Sequence, residues 1–292
     1  MAKTGNVEYV ASLERGLRVL QTFSRDHAQL TLSEVAALTN LSPATARRSL
    51  HTLELLGYVG RSGRKFLLRP KVLALGAGYL SAINAEVVLQ PFLQAMVTDV
   101  GGSSSVTVLD NLEIVYIAHA SANRAIRLTA GAGSRYPAYP TSMGRVLLAH
   151  ETPAALDAYF ERATFARLTA RTETNPDELR RIIERVRAAG YATVQDELDV
   201  GLVSVAVPIA GPNGRVVAAA NSSDVTNHVD QQALLEKRLP ALRQTVRRIE
   251  QALVRHPELA NSVESIGATP ITRASAGERI RDARPALSTD TR

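Results

Sequence analysis

Over the first 70 positions the apolar residues come in three short helical bursts and then alternate. Leu13, Leu17, Leu20 and Phe23 fall on one face of a helix that Ser12 is placed to cap. Thr31, followed three residues later by Glu34, fits a capping box. It opens a short helix that turns Val35, Ala36 and Leu38 inward and breaks at Asn40-Leu41. Ser42-Pro43 supplies an N-cap and a proline at the first position of a third helix. Ala46, Leu50 and Leu53 form its narrow apolar stripe, with Thr45, Arg48, His51 and Thr52, and also Ala44 and Leu55, on the other side. Gly57 stops it. Residues 58–61 and 65–68 read as two strands joined at Ser62-Gly63. The order predicts a helix, a helix-turn-helix and a β-wing.

The rhythm then changes. Residues 71–84 carry Val, Leu and Ala at helical spacing and predict a linker helix, in which Gly76 and Gly78 permit close approach of a second helix. Residues 91–100 read as an amphipathic helix, and 103–109 with 114–119 as a hairpin turned at Asp110-Asn111. Residues 125–129 predict a further strand, 131–140 a Gly/Pro/Tyr-rich loop, and Thr141 or Ser142 the start of a helix reaching His150. Helices follow over 153–160 and 176–189, strands over 191–194, 202–209 and 216–221, and a closing helix over 230–254. The fold class is α+β, with an antiparallel sheet in the second domain resembling GAF and PAS sensors. The domains are a winged helix-turn-helix over 9–70, the linker over 71–84, a ligand-sensing domain over 85–255, and a disordered extension over 256–292.

Charge sharpens this picture. The net charge of +6 lies in the first third, where residues 1–84 hold eleven Lys and Arg against five Asp and Glu, so the remainder is neutral. A small basic domain beside a neutral one suits binding to a polyanion. A helix with a narrow buried stripe and a Thr/Arg outer face can enter the major groove, and a basic wing can touch phosphates. The candidate DNA contacts are Thr31, Ser42, Ala44, Thr45, Arg47, Arg48 and Thr52 on the helices, and Arg61, Arg64 and Lys65 on the wing.

The composition excludes other classes. With no cysteine there is no disulfide framework and no thiolate metal site, which is compatible with a cytoplasmic location. No stretch approaches the ~18 apolar residues of a membrane span. No phosphate-binding glycine loop, nucleophile elbow or zinc-binding helix motif is present, and the six histidines are scattered. No cofactor, metal or catalytic set is expected.

The run from Leu32 to Val59 resembles the DNA-binding segment of the IclR family of regulators. Thr45 and Arg48 match its Thr-x-x-Arg step, and Thr52-Leu53, with Gly57-Tyr58-Val59, matches its helix ending. Residues 12–20 resemble that family's first helix. Tyr139 to Leu148, Gly190-Tyr191 and Gly201 to Pro208 resemble its effector domain. Residues 128–139 resemble most the branch that governs breakdown of protocatechuate and hydroxybenzoate. The resemblance spans residues 12–254. It implies a homodimer, or a dimer of dimers, on a pseudo-palindromic operator in double-stranded DNA. It also implies a small carboxylic acid effector between the sheet and the start of the 141–150 helix. Carried over motif by motif, the effector site is Thr129 and Ala130, then Ser142, Met143 and Gly144, then Leu202 and Ser204, then Asn221 and Ser223. A helix N-terminus suits a carboxylate, and Arg127, Arg135 or Arg145 could pair with one.

Three functions compete on this sequence. One is a ligand-responsive transcription regulator without enzymatic activity. The second is an enzyme acting on a small acid, with the winged helix serving oligomerisation. The third is a protein-interaction module with no DNA partner.

Overall fold

The computed structural model describes residues 9–24, 27–76, 85–122, 131–229 and 231–267. The chain divides into two compact units, the second starting at Tyr79.

The first unit begins with α1 (Ala11–Gln21). Its N-cap is Val10, with no side-chain cap bond, so Ser12 is a first-turn residue and not the expected cap. Val19 on the helix and Phe23 just after it face inward, whereas Leu13 and Leu17 are 62% and 47% exposed. The expected single apolar face is therefore two: one packs inside the unit and the other does not. Strand β1 (Leu30–Thr31) leads into α2 (Leu32–Thr39), where Thr31 and Glu34 form the reciprocal capping box. Asn40 ends α2 in the left-handed region at φ 52°. Helix α3 (Pro43–Leu55) starts at Ser42 and buries Ala46, Leu50 and Leu53. It ends in a Schellman turn: Gly57 adopts φ 79°, and the N–H groups of Tyr58 and Gly57 reach the carbonyls of Leu53 and Glu54 at 2.9 and 3.0 Å. Strands β2 (Val59–Ser62) and β3 (Lys65–Leu68) form the wing, with Gly63 at φ 60° in its two-residue loop. The sheet order is β1-β3-β2, so the wing carries a third strand that the hydrophobic pattern was too short to reveal. Of the expected linker helix, Pro70–Val72 form a 3₁₀ turn and 73–76 are helical, while 77–84 lie outside the described residues.

The second unit opens with α4 (Ala85–Val100), which begins six residues before the expected start and carries Pro91 inside it. Strands β4 (Ser103–Asp110) and β5 (Glu113–Ser121) pair as the predicted hairpin. The strand expected over 125–129 lies outside the described residues. Within the expected 131–140 loop, β6 (Arg135–Pro137) adds an edge strand to β5. Helices α5 (Ser142–Ala149), α6 (Pro153–Arg162) and α7 (Pro176–Ala189) follow, then β7 (Ala192–Gln195), β8 (Leu202–Ala210) and β9 (Val216–Val225). The closing helix is broken into α8 (Gln231–Ala233), a π-helical turn (Leu234–Arg238) and α9 (Leu239–Arg255). Helix α10 (Pro257–Gly267) then falls inside the segment expected to be disordered. Leu259, Ala260 and Val263 are buried in the core, because their one-and-four spacing gives α10 an inward stripe.

The six strands are antiparallel in the order β6-β5-β4-β9-β8-β7. Residues of α4, α9 and α10 form one core on one face of this sheet. Residues of α5, α6 and α7 form a second core on the other. No described helix is long and apolar enough to cross a membrane.

Candidate DNA-reading face and ligand cavity

Helix α3 presents its outer side from its first turn. Ser42 Oγ accepts the Thr45 N–H at 3.3 Å and lies 2.9 Å from Thr45 Oγ1, so the two hydroxyls hold each other at the helix start. Burial of Ala46, Leu50 and Leu53 fixes the helix rotation and leaves Ser42, Ala44, Arg47, Arg48 and Thr52 exposed, with Thr45 half-buried. Thr52 Oγ1 donates to the Arg48 carbonyl at 3.0 Å. On the wing, Arg64 and Lys65 are exposed. Arg61 is committed in part: it pairs with Glu54 at 2.9 Å and lies over the Phe66 ring at 4.7 Å. Thr31 is committed fully. Its hydroxyl and N–H both donate to Glu34 Oε2, at 2.8 and 2.7 Å, and these bonds hold the Glu34 carboxyl below its usual pKa.

The second unit has a cavity between the sheet and the start of α5. Six of the nine residues expected there line it: Ser142, Met143, Leu202, Ser204, Asn221 and Ser223. Gly144 does not. Its Cα packs against the Ala138 backbone so closely that a Cβ would collide with it, and its N–H is taken by the Thr141 cap at 3.0 Å. Gly144 thus sets how deeply α5 seats. Thr129 and Ala130 lie outside the described residues. The cavity also recruits Ser103, Ser105, Tyr116 and His119 from β4 and β5, which the sequence had not singled out.

Its polar lining is organised in pairs. Ser142 Oγ and Ser204 Oγ are 2.9 Å apart and tie the start of α5 to β8. Ser103 Oγ meets Ser223 Oγ at 2.8 Å, and Asn221 Oδ1 accepts the Ser105 N–H at 2.9 Å. Ser105 Oγ sits 2.9 Å from His119 Nδ1. Burial pushes the His119 pKa down and the Tyr116 phenol up, so both rest neutral at neutral pH. Among the described residues, no Lys, Arg, Asp or Glu lines the cavity. Two of the three arginines proposed for a carboxylate are spent elsewhere. The buried Arg145 donates to Glu197 Oε2 at 2.6 Å and to the Tyr139 carbonyl at 2.8 Å, and Arg135 pairs with Asp110 and Glu113 at 2.8 and 2.7 Å. Arg127 lies outside the described residues. Among the described residues, what remains for an anion is the start of α5, where the Ser142 and Met143 N–H groups have no intrahelical acceptor.

Each of these features lies within a stretch that matches a known domain. Residues 12–63 match the model of the IclR helix-turn-helix domain, and residues 77–251 match that of the bacterial transcriptional regulator IclR C-terminal domain. The Pca regulon regulatory protein of Pseudomonas putida is 39% identical over 82% of this chain and 83% of its own. A crystal structure of a transcriptional regulator from Rhodococcus sp. RHA1 superposes with a TM-score of 0.71 at 45% identity, covering 85% of this chain and 99% of that one. An IclR homolog from Microbacterium hydrocarbonoxydans, solved with 4-hydroxybenzoate, gives 0.69 at 25% identity over 84% of this chain and 99% of its own. With a winged helix-turn-helix, an antiparallel sensor sheet and both family models spanning most of its length, the chain belongs to the IclR family of bacterial transcriptional regulators.

Proposed function

We propose that this regulator controls a catabolic operon in response to a small aromatic carboxylic acid held in the cavity at the start of α5. The observation that carries the reading is the cavity itself: a pocket lined by neutral polar and apolar residues, closed at one end by a helix N-terminus. A carboxylate there gains free N–H donors and the positive end of the helix dipole. Hydroxyls and an amide then fix the orientation of the ring. The hydroxybenzoate complex of the Microbacterium homolog supports this ligand class.

The DNA contacts we assign are Ser42, Ala44, Thr45, Arg47, Arg48 and Thr52 in the major groove, with Arg61, Arg64 and Lys65 at the backbone or minor groove. The protein binds as a homodimer, or a dimer of dimers, on a pseudo-palindromic operator. The exposed Tyr9 and Val10 just before α1, Leu13 and Leu17 on it, and Leu73 and Leu75 after the wing, supply apolar surface for pairing.

In this reading the chain binds the acid and does not turn it over, in keeping with its membership of a family of transcriptional regulators. The test is an anisotropy titration against the DNA upstream of its own gene, at two salt concentrations, with and without protocatechuate and 4-hydroxybenzoate. Selective, salt-sensitive binding that either acid alters is expected. Binding indifferent to both acids would remove the aromatic effector. Lack of selective binding would remove the DNA contacts assigned here.

A further inference from the structure

Strand β5 does not alternate regularly. Val106 pairs with Ala118 but Thr107 pairs with Tyr116, so Ile117 is an extra residue in a β-bulge. Regular alternation from Tyr116 would send His119 to the opposite face of the sheet. The bulge returns it to the side of Ser105 and Thr107, where His119 and Tyr116 both line the cavity. A bulge that re-aims one polar side chain into a cavity is a device for placing that side chain.

We propose that His119 is the residue through which the cavity reads a ring hydroxyl on its acid, with Ser105 as the positioning residue that orients the imidazole. The proposal rests on the reading that an aromatic acid sits with its carboxylate at the start of α5. Nδ1 is occupied by Ser105 Oγ, which among the described residues leaves Nε2 for a ligand. Ser105 is itself held, through its N–H to Asn221 Oδ1. Its hydroxyl can donate or accept, so Nε2 can be an acceptor or a donor in turn. A phenol suits both cases. A second carboxylate suits only the case in which Nε2 donates, since it has no proton to give.

The sheet supplies the span. Ser142 fastens the start of α5 to Ser204 on β8, and His119 stands on β5, with β9 and β4 between them. Three strand spacings of about 4.8 Å put roughly 14 Å between the two backbones. A ring with groups at opposite ends, hydrogen-bonded at about 2.8 Å on each side, bridges that distance once the side chains lean inward. Such a span suits an aromatic acid with its hydroxyl opposite the carboxylate.

The experiment is calorimetric titration of the full chain with benzoate and with 4-hydroxybenzoate, and the quantity read is the ratio of their affinities. The parent should prefer the hydroxylated acid by roughly tenfold, as for a site with a polar group waiting for a partner. In His119→Ala the ratio should fall to within about twofold. Ser105→Ala leaves the imidazole in place but unoriented, and its ratio should fall between the two. It keeps the test open should His119→Ala fail to fold. A parent ratio near one, or a ratio unchanged in both variants, would overturn the hydroxyl contact while the aromatic effector stood. If the parent bound DNA selectively but neither acid, the effector reading would fail and this proposal with it.

Discussion

Single residues set the two ends of α3 and the inner wall of the cavity. Gly57 closes α3 in a left-handed conformation that carries two backbone hydrogen bonds. A Cβ at Gly57 would meet only the Lys71 side chain at 3.7 Å, so any cost of Gly57→Ala is conformational and not steric. Urea unfolding should show a loss of about 1–2 kcal/mol. A loss well below that would mean the turn relaxes. His119 makes a prediction of the opposite kind, visible only as pH changes. Its pKa lies below the ordinary 6.5 because the ring is desolvated. The unfolded chain takes up the proton first as pH falls, so its proton count exceeds the folded one below that value. The stability tied to a neutral His119 is complete above about 6.5 and declines as pH falls further. Unfolding midpoints of the parent and His119→Gln, followed from neutral pH downward, should converge or cross. Parallel curves would show that the ring titrates normally. The sequence showed Gly57 plainly, since a glycine after a helical run has few other uses. It concealed His119, because a bulge leaves no trace in hydrophobic alternation: Ile117 is apolar whichever face it takes.

At the scale of elements, capped helices were the most legible. Thr31 with Glu34, and Ser42 before Pro43, mark their helices because side-chain oxygens there satisfy N–H groups that the helix cannot. Shorter or less regular elements escaped. Strand β1 has two residues and β6 three, too few for a period. Helix α10 looked like part of a polar tail, although Leu259, Ala260 and Val263 bury one side of it. In the cavity, motif matching reached the residues of α5, β8 and β9 that line it. It misread Gly144, whose reason is close packing on Ala138. The two basic elements of the first unit should separate by function. Arg48 stands on the outer side of α3, and Lys65 on the wing. Arg48→Ala should cost about 1–3 kcal/mol for the operator and relax its selectivity. Lys65→Ala should weaken operator and random DNA alike and lower the salt slope by about 1. Anisotropy titrations on both DNAs over a salt series distinguish them. Equal losses on the two DNAs for Arg48→Ala would make it a phosphate contact.

Over the whole molecule, the uneven charge and the unpaired apolar surface belong together. All of the net charge of +6 falls within residues 1–84, so each chain carries one cationic module. In the homodimer proposed above, one such module covers one half-site, and its contacts with phosphate alone are weak at physiological salt. Two modules held together gain from each other, because the second contact is made at high local concentration. The surface we assign to holding them is the outward stripe of α1. Leu13 and Leu17, one helical turn apart, stay exposed while Val19 and Phe23 fill the unit's own core. The apolar stripe read from the sequence was therefore real but joined two separate faces, since periodicity cannot say which partner a face awaits. Changing Leu13 and Leu17 together to asparagine should leave the unfolding midpoint nearly unchanged, as neither side chain is in the core. It should lower affinity for a two-fold operator by roughly tenfold or more, with single half-site affinity retained. Sedimentation of the protein–DNA complex would then show one chain bound per half-site without cooperation. If the double variant binds the full operator as tightly as the parent, α1 does not pair the two modules, and the exposed Leu73 and Leu75 become the surface to test.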